Sequence, residues 1–260
     1  MAILKNEAIV LRKFDFRETS LIAHFYTREF GKVHGLLKGI RKDPKKFAST
    51  VEIFSLNEII FYQSRHSTLH LVSHCDLKDN FTNIRSNLSK ISMASSIVEL
   101  LDALTQEEDK NESLFDLAFI CLKELETYPN PEKILTIFKI KSLALSGFKP
   151  NFDSCVSCNN KIFDQSKFSL VMGGLLCERC FKKDLKARSI FRGTTASIVH
   201  IQKNDFRANL TLGMNPEIKK ELESILNAFL TFHLDKQLKA QKITEKITED
   251  PQLTALVEEV

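Results

Sequence analysis

Residues 155–180 read CVSCNNKIFDQSKFSLVMGGLLCERC: a Cys-x-x-Cys pair, an eighteen-residue spacer and a second Cys-x-x-Cys pair. Two residues between thiolates let one turn present both sulfurs to a single ion. The spacer need only be a short ribbon or loop that returns the second pair to the first. Cys155, Cys158, Cys177 and Cys180 are therefore expected to hold a structural zinc ion. Two disulfides or an iron site are the other uses of such a pattern. Disulfides belong to oxidising compartments, and nothing in the chain reads as secretory. Four thiolates leave zinc no open coordination position, so the site is expected to staple rather than to react.

The hydrophobic period differs on the two sides of residue 81. The runs 7–14, 20–26, 32–38, 55–62 and 68–74 are short, aliphatic or aromatic, and separated by turn-prone material such as Lys42-Asp43-Pro44. Five such strands with little helical pattern between them predict a small Greek-key barrel, with a sandwich fragment as the alternative. Beyond residue 81 the period is helical. Leu88, Ile91, Ala94, Ile97, Val98, Leu101 and Leu104 recur at three- and four-residue steps, and Leu114 to Leu125 repeat the pattern. A third helix runs from Ile134 to Leu145 with Gly147 as its C-terminal stop. A last one opens at Asn215-Pro216 and carries Leu222, Ile225, Leu226, Phe229 and Leu230 on one face. The expected class is α+β and multidomain: a five-stranded barrel over 1–80, an all-α domain over 81–240 with the zinc element at 153–182, and a loosely held tail over 241–260.

Of the 260 residues, 43% are hydrophobic and 27% charged, the balance of an ordinary globular protein. No apolar run approaches the ~20 residues of a membrane span. Lys5 and Glu7 interrupt what would be the apolar core of an export signal, so a cytoplasmic location is expected, and Cys75 and Cys121 read as small core residues. Net charge is +4, unevenly spread. Residues 1–50 hold eleven Lys and Arg against five acids, whereas 98–135 hold ten acids against three lysines. A basic head on a neutral-to-acidic body predicts a module that faces a polyanion.

Lys32, Lys38, Arg41, Lys42, Lys45 and Lys46 crowd the third strand and the loop after it, supported by Arg12 and Arg17. Each phosphate that such cations neutralise releases condensed counterions, and nearby aromatics such as Phe14, Phe16 and Phe30 can offer a stacking face. These eight residues are the expected DNA contact; the other reading is a solvated loop over a phenylalanine core. A second cluster, Arg179, Lys182, Lys183, Lys186, Arg188 and Arg192, follows the last thiolates and reads equally as a backbone contact or as the wet face of a short helix. No P-loop, H-x-E deaminase signature, H-E-x-x-H or nucleophile–base pair is present, so no enzymatic site is expected.

The order of these features resembles one family, the bacterial recombination mediators of the RecO type. Glu7-Ala8-Ile9-Val10-Leu11, Thr27-Arg28-Glu29-Phe30-Gly31-Lys32-Val33, Lys38-Gly39-Ile40-Arg41-Lys42, Gly147-Phe148-Lys149-Pro150-Asn151-Phe152 and Gly173-Gly174-Leu175-Leu176-Cys177 carry the resemblance, which spans residues 1 to about 245. It departs from the family's pattern at Ile40-Arg41-Lys42, Asp235 and Ala240-Gln241. The resemblance implies an OB-fold, a helical domain with a zinc element, and a nucleoid-associated protein that binds single- and double-stranded DNA and anneals complementary strands. It also implies work with RecR and with the acidic tail of single-stranded DNA-binding protein to help load recombinase. A pocket for that tail is expected on Phe138, Lys139, Lys141 and Lys149, or near Phe232, Leu234, Lys236 and Lys239. A zinc-ribbon scaffold without direct DNA contact is the alternative.

Overall fold

A computed structural model describes residues 2–42, 47, 51–64 and 66–234. The chain forms two compact units that divide between Leu135 and Thr136. That division lies further along than the change of period at residue 81, where strands give way to helices. Lys45, Lys46, Lys236, Lys239 and the expected tail 241–260 lie outside the described residues.

In the first unit β1 (Ile3–Phe16), β2 (Ser20–Thr27), β3 (Gly31–Leu37), β4 (Leu56–Tyr62) and β5 (Leu69–Asp79) form a closed barrel in the order β1-β2-β3-β5-β4. β1 closes it against β4, from Ile3 opposite Tyr62 to Ile9 opposite Leu56, and only β3 and β5 run parallel. This is the OB arrangement, and closure removes the sandwich alternative. Alternate residues line the interior: Ala8, Val10, Ala23, Phe25, Val33, Leu37, Ile59, Phe61 and Val72 share one core. Two strands outrun the expected runs. β1 starts at Ile3, and β5 continues through Cys75 to Asp79 opposite β4, because ladder pairing tolerates the polar, outward-facing residues that read as turns.

Three helices complete this unit: α1 (Thr82–Arg85), α2 (Leu88–Leu104) and α3 (Glu112–Thr127). Asn87 and Asn111 cap α2 and α3 by accepting from the backbone N–H of Lys90 and Leu114. The loop from α2 to α3 lies against the barrel. Glu108 N–H donates to the Lys32 carbonyl at 3.0 Å, and a Cβ on Gly31 (φ +62°) would fall 2.2 Å from the Asp109 oxygen. Only glycine fits that approach. Arg28 fastens the same seam, since its guanidinium pairs with Glu7 and Asp116 and lies over the Phe115 ring.

α4 (Pro131–Leu145) begins with proline in its first turn. In the second unit, β6 (Asn151–Cys155), β7 (Ser166–Ser169), β8 (Gly174–Cys177) and β9 (Arg188–Ile190) form a sheet in the order β6-β8-β7-β9. A 3₁₀ helix (Glu178–Lys183) follows β8. α5 (Arg192–Lys203), α6 (Phe206–Thr211) and α7 (Pro216–Leu234) end the described chain. α7 buries Leu222, Ile225, Leu226, Phe229 and Leu230, the face read from the sequence, and Asn215 caps it through the Ile218 N–H at 2.8 Å. The spacer between the cysteine pairs thus supplies β7 and most of β8 to this sheet, and its Phe168 packs on Phe152 of β6 at 5.1 Å and on Phe229 of α7 at 5.9 Å. Among the described residues no helix is long and apolar enough to cross a membrane.

Candidate metal centre and nucleic-acid surface

Cys155 ends β6 and Cys177 ends β8, so the sheet itself brings one thiolate of each pair side by side. Their strands run parallel and close together because residue 174 is glycine. A Cβ there would meet the Asn151 carbonyl at 2.6 Å and the Val156 side chain at 2.4 Å. Cys158 follows through a turn in which the Asn159 N–H donates to the Cys155 carbonyl at 2.8 Å, and Cys180 comes from the 3₁₀ helix. All four sulfurs lie within 4.8 Å of one another, and the Cys158 and Cys177 sulfurs are 3.7 Å apart. A tetrahedron of sulfurs at about 2.3 Å from zinc has edges of about 3.8 Å, so the donor set fits a four-coordinate thiophilic ion.

The electrostatics ask for a cation. Burial pushes the Cys155 thiol up, but the backbone N–H groups of Cys177, Ser157 and Cys158 converge on its sulfur and bring it down to about 6. Cys177 is pushed up to about 12, first by burial and then by the neighbouring sulfurs of Cys158, Cys155 and Cys180. One thiolate disfavours the next unless a positive ion sits among them. Cys155 is fully buried and Cys180 nearly so, with Leu176 and Ala187 packed around them.

The eight expected DNA-contact residues fall into three sets. Arg17, Lys38, Arg41 and Lys42 are exposed at one rim of the barrel. The β1–β2 turn and the turn after β3 meet there, since Arg41 N–H donates to the Thr19 carbonyl at 3.0 Å and its guanidinium to the Arg17 carbonyl at 2.8 Å. Arg41 also pairs with Asp15 at 3.4 Å. Arg12 and Lys32 stand elsewhere, both on Asp102 of α2, at 2.6 Å and 2.9 Å. Burial raises the Asp102 carboxyl, but the hydrogen bond and charge of Lys32, with Arg12, outweigh it and hold the group below the ordinary carboxylate range. Lys45 and Lys46 lie outside the described residues.

Beside Asp102, His24 and His34 stack at 3.8 Å between centroids. Burial, then the charge of His34, lowers His24 to about 4, and burial likewise lowers His34. Nothing local in the sequence marks Asp102 or either histidine as a partner of the cations. The signal available is only the acidity of 98–135 set against the basic strands.

Of the residues expected to receive a peptide tail, Phe138 is fully buried and Lys139 is 9% exposed, its ammonium donating to Asn227 at 2.9 Å. Lys141 donates to the Asn204 carbonyl at 2.7 Å. Lys149 is exposed, beside the exposed rings and chains of Phe148 and Leu145. α4 turns Phe138 inward with Ile134, Ile137 and Leu143, the ordinary use of an apolar helical stripe.

Residues 1–81 match the family described as "Recombination protein O N terminal", and residues 85–242 match "Recombination protein O C terminal". Proteins called "DNA repair protein RecO" are similar over nearly the whole chain. That of Shouchella clausii is 30% identical, covering 94% of each chain. That of Desulforamulus reducens is 30% identical over 95% of this chain and 96% of its own, and that of Syntrophus aciditrophicus 28% over 94% and 95%. With both halves of the family present in order on one chain, the protein belongs to the RecO family.

Proposed function

We propose that this protein is a non-enzymatic DNA-repair protein that binds single- and double-stranded DNA through the rim of its barrel and anneals complementary strands. The observation that carries the reading is the rim itself: Arg17, Lys38 and Lys42 are exposed around Arg41, and no ion pair involves those three among the described residues. Such cations neutralise phosphates irrespective of sequence and lower the repulsion between two approaching strands while leaving base edges free. Zinc on Cys155, Cys158, Cys177 and Cys180 would fix the ribbon, a structural role that four thiolates suit. Work with a RecR-type protein and with the acidic tail of single-stranded DNA-binding protein, to help recombinase onto coated strands, completes the reading. Its place would be the cytoplasm, at the nucleoid. Of the residues expected to form the tail pocket, Lys149 and Phe232 are exposed to such a peptide, and Leu145 and Phe148 are exposed beside Lys149 in the chain.

The test is a binding titration with a labelled oligonucleotide at several salt concentrations. Arg17→Ala, Lys38→Ala and Lys42→Ala together should weaken binding to all sequences alike. On single strands they should also flatten the salt dependence by ~0.7 for every phosphate that is no longer neutralised. Arg41 is left in place because it also ties the two turns together. An unchanged slope in the folded triple variant would move DNA off the rim, and salt-independent behaviour would favour a scaffold without DNA contact.

A further inference from the structure

The metal-stapled ribbon carries the densest set of unpaired cations described in the chain. Arg179, Lys182, Lys183, Lys186, Arg188 and Arg192 are all exposed, and no ion pair involves any of them among the described residues. The barrel differs: there Arg12, Lys13, Arg28, Lys32 and Arg41 are each matched to a carboxylate. The single acid within 179–192, Asp184, is already occupied. Its carboxylate accepts from the Ser169 hydroxyl at 2.6 Å and from the Lys186 N–H at 2.9 Å. Six cations against one carboxylate leave 179–192 with five surplus positive charges, and such a surface repels itself and gains from a polyanion.

These cations stand on a fixed frame. The first three ride the 3₁₀ helix, held by buried Cys180 in the thiolate cluster and by Lys167 of β7 placed 4.9 Å over the Phe181 ring. Lys186 and Arg188 lead into and along β9, the edge strand of the sheet, and Arg192 opens α5. Between Arg188 and Arg192 the Phe191 side chain is 57% exposed, while its backbone N–H is anchored on Glu221 at 2.9 Å. An exposed ring between two exposed arginines in the chain offers a stacking face for an unpaired base, a feature that an acidic protein segment would not need.

We infer that the ribbon is a second nucleic-acid contact, taking the backbone of single-stranded nucleic acid on its six cations with a base against Phe191. The inference rests on the reading of the chain as a DNA-binding protein and deepens it. A chain that grips phosphates in each of its two units can take two strands at once, and pairing them then becomes an intramolecular encounter.

Lysine acetylation of the full-length zinc-loaded chain, read residue by residue by mass spectrometry with and without an oligothymidylate, tests this directly. Lys182, Lys183 and Lys186 should be protected several-fold together with Lys38 and Lys42. Protection of Lys38 and Lys42 alone overturns the inference and leaves the barrel reading intact. No binding and no protection anywhere overturns both. Protection of the ribbon by polyglutamate but not by the oligonucleotide makes it a protein-docking surface instead. As a second arm, Lys182→Gln, Lys183→Gln, Lys186→Gln and Arg188→Gln are combined, with zinc content and circular dichroism unchanged. The single-strand salt slope should then flatten by ~0.7 for each cation that had neutralised a phosphate. An unchanged slope counts against the inference.

Discussion

Asp102→Asn separates the cations of the barrel that are matched to an acid from those that the rim leaves unmatched among the described residues. The side chains of Asp102 and Lys32 are 12% and 11% exposed, so this pair is close to buried, whereas Arg12 at 39% can turn to water. Removing one member of a buried pair costs about 3–5 kcal/mol because the other charge is left uncompensated. Two features reduce that figure here. The Lys32 ammonium keeps its bond to the Asp102 backbone carbonyl at 2.6 Å, and Arg12 recovers hydration. A loss of about 2–3 kcal/mol is expected, a fall of roughly 4–12 °C at about 2–4 °C per kcal/mol. The chain has no tryptophan and three tyrosines, Tyr26, Tyr62 and Tyr128, all before residue 135, so tyrosine fluorescence reports the first unit alone.

The same variant should bind single-stranded DNA with a salt slope steeper by ~0.7, since freed Arg12 becomes available and Lys32 stays tied. An unmoved tyrosine transition would refute the structural assignment of the pair. A slope steeper by about twice that would show that Lys32 also reaches phosphate.

The metal-site prediction is one zinc ion per chain in protein purified without chelator, with chelation exposing four reactive thiols and lowering the melting temperature of the second unit. Metal-free protein that melts unchanged would contradict it. A third expectation concerns pH. Folding lowers His24 from the usual 6.5 to about 4 and lowers His34 as well, so between these values the unfolded chain binds more protons than the folded one. Stability is full above about pH 6.5 and is lost as pH falls towards 4, by about 1–3 kcal/mol after discounting for partial exposure, and tyrosine-detected urea midpoints at pH 5 and 7 check it. His24→Gln should flatten that dependence.

The barrel is legible in the sequence because its interior is made of alternating aliphatic and aromatic residues, as in Ala8, Val10 and Ala23, Phe25. The doubled Cys-x-x-Cys is legible because ligand spacing is a local property. α5 is not, and its composition explains why: the buried stripe is Thr194, Ser197, Ile198 and Ile201, half of it hydroxyl residues that look polar in sequence. The ribbon strands are equally hidden. They are three to five residues long, and their order follows from where the four thiolates must meet rather than from any period of their own.

Charge is the part least readable, and for a physical reason. Counting cations along 1–50 predicts a polyanion surface but gives each Lys and Arg equal weight. Whether a cation faces phosphate depends on an acid that can be far away in sequence. Asp102 lies seventy residues beyond Lys32, yet it holds both Lys32 and Arg12. Arg28 is claimed in the same way by Asp116. The basic head is thus partly a docking surface for the acidic helices that follow it, and the surplus of unmatched charge is smaller than the count. Over 179–192 the balance is the opposite, because a single acid, Asp184, stands among six cations and no ion pair ties any of the six among the described residues.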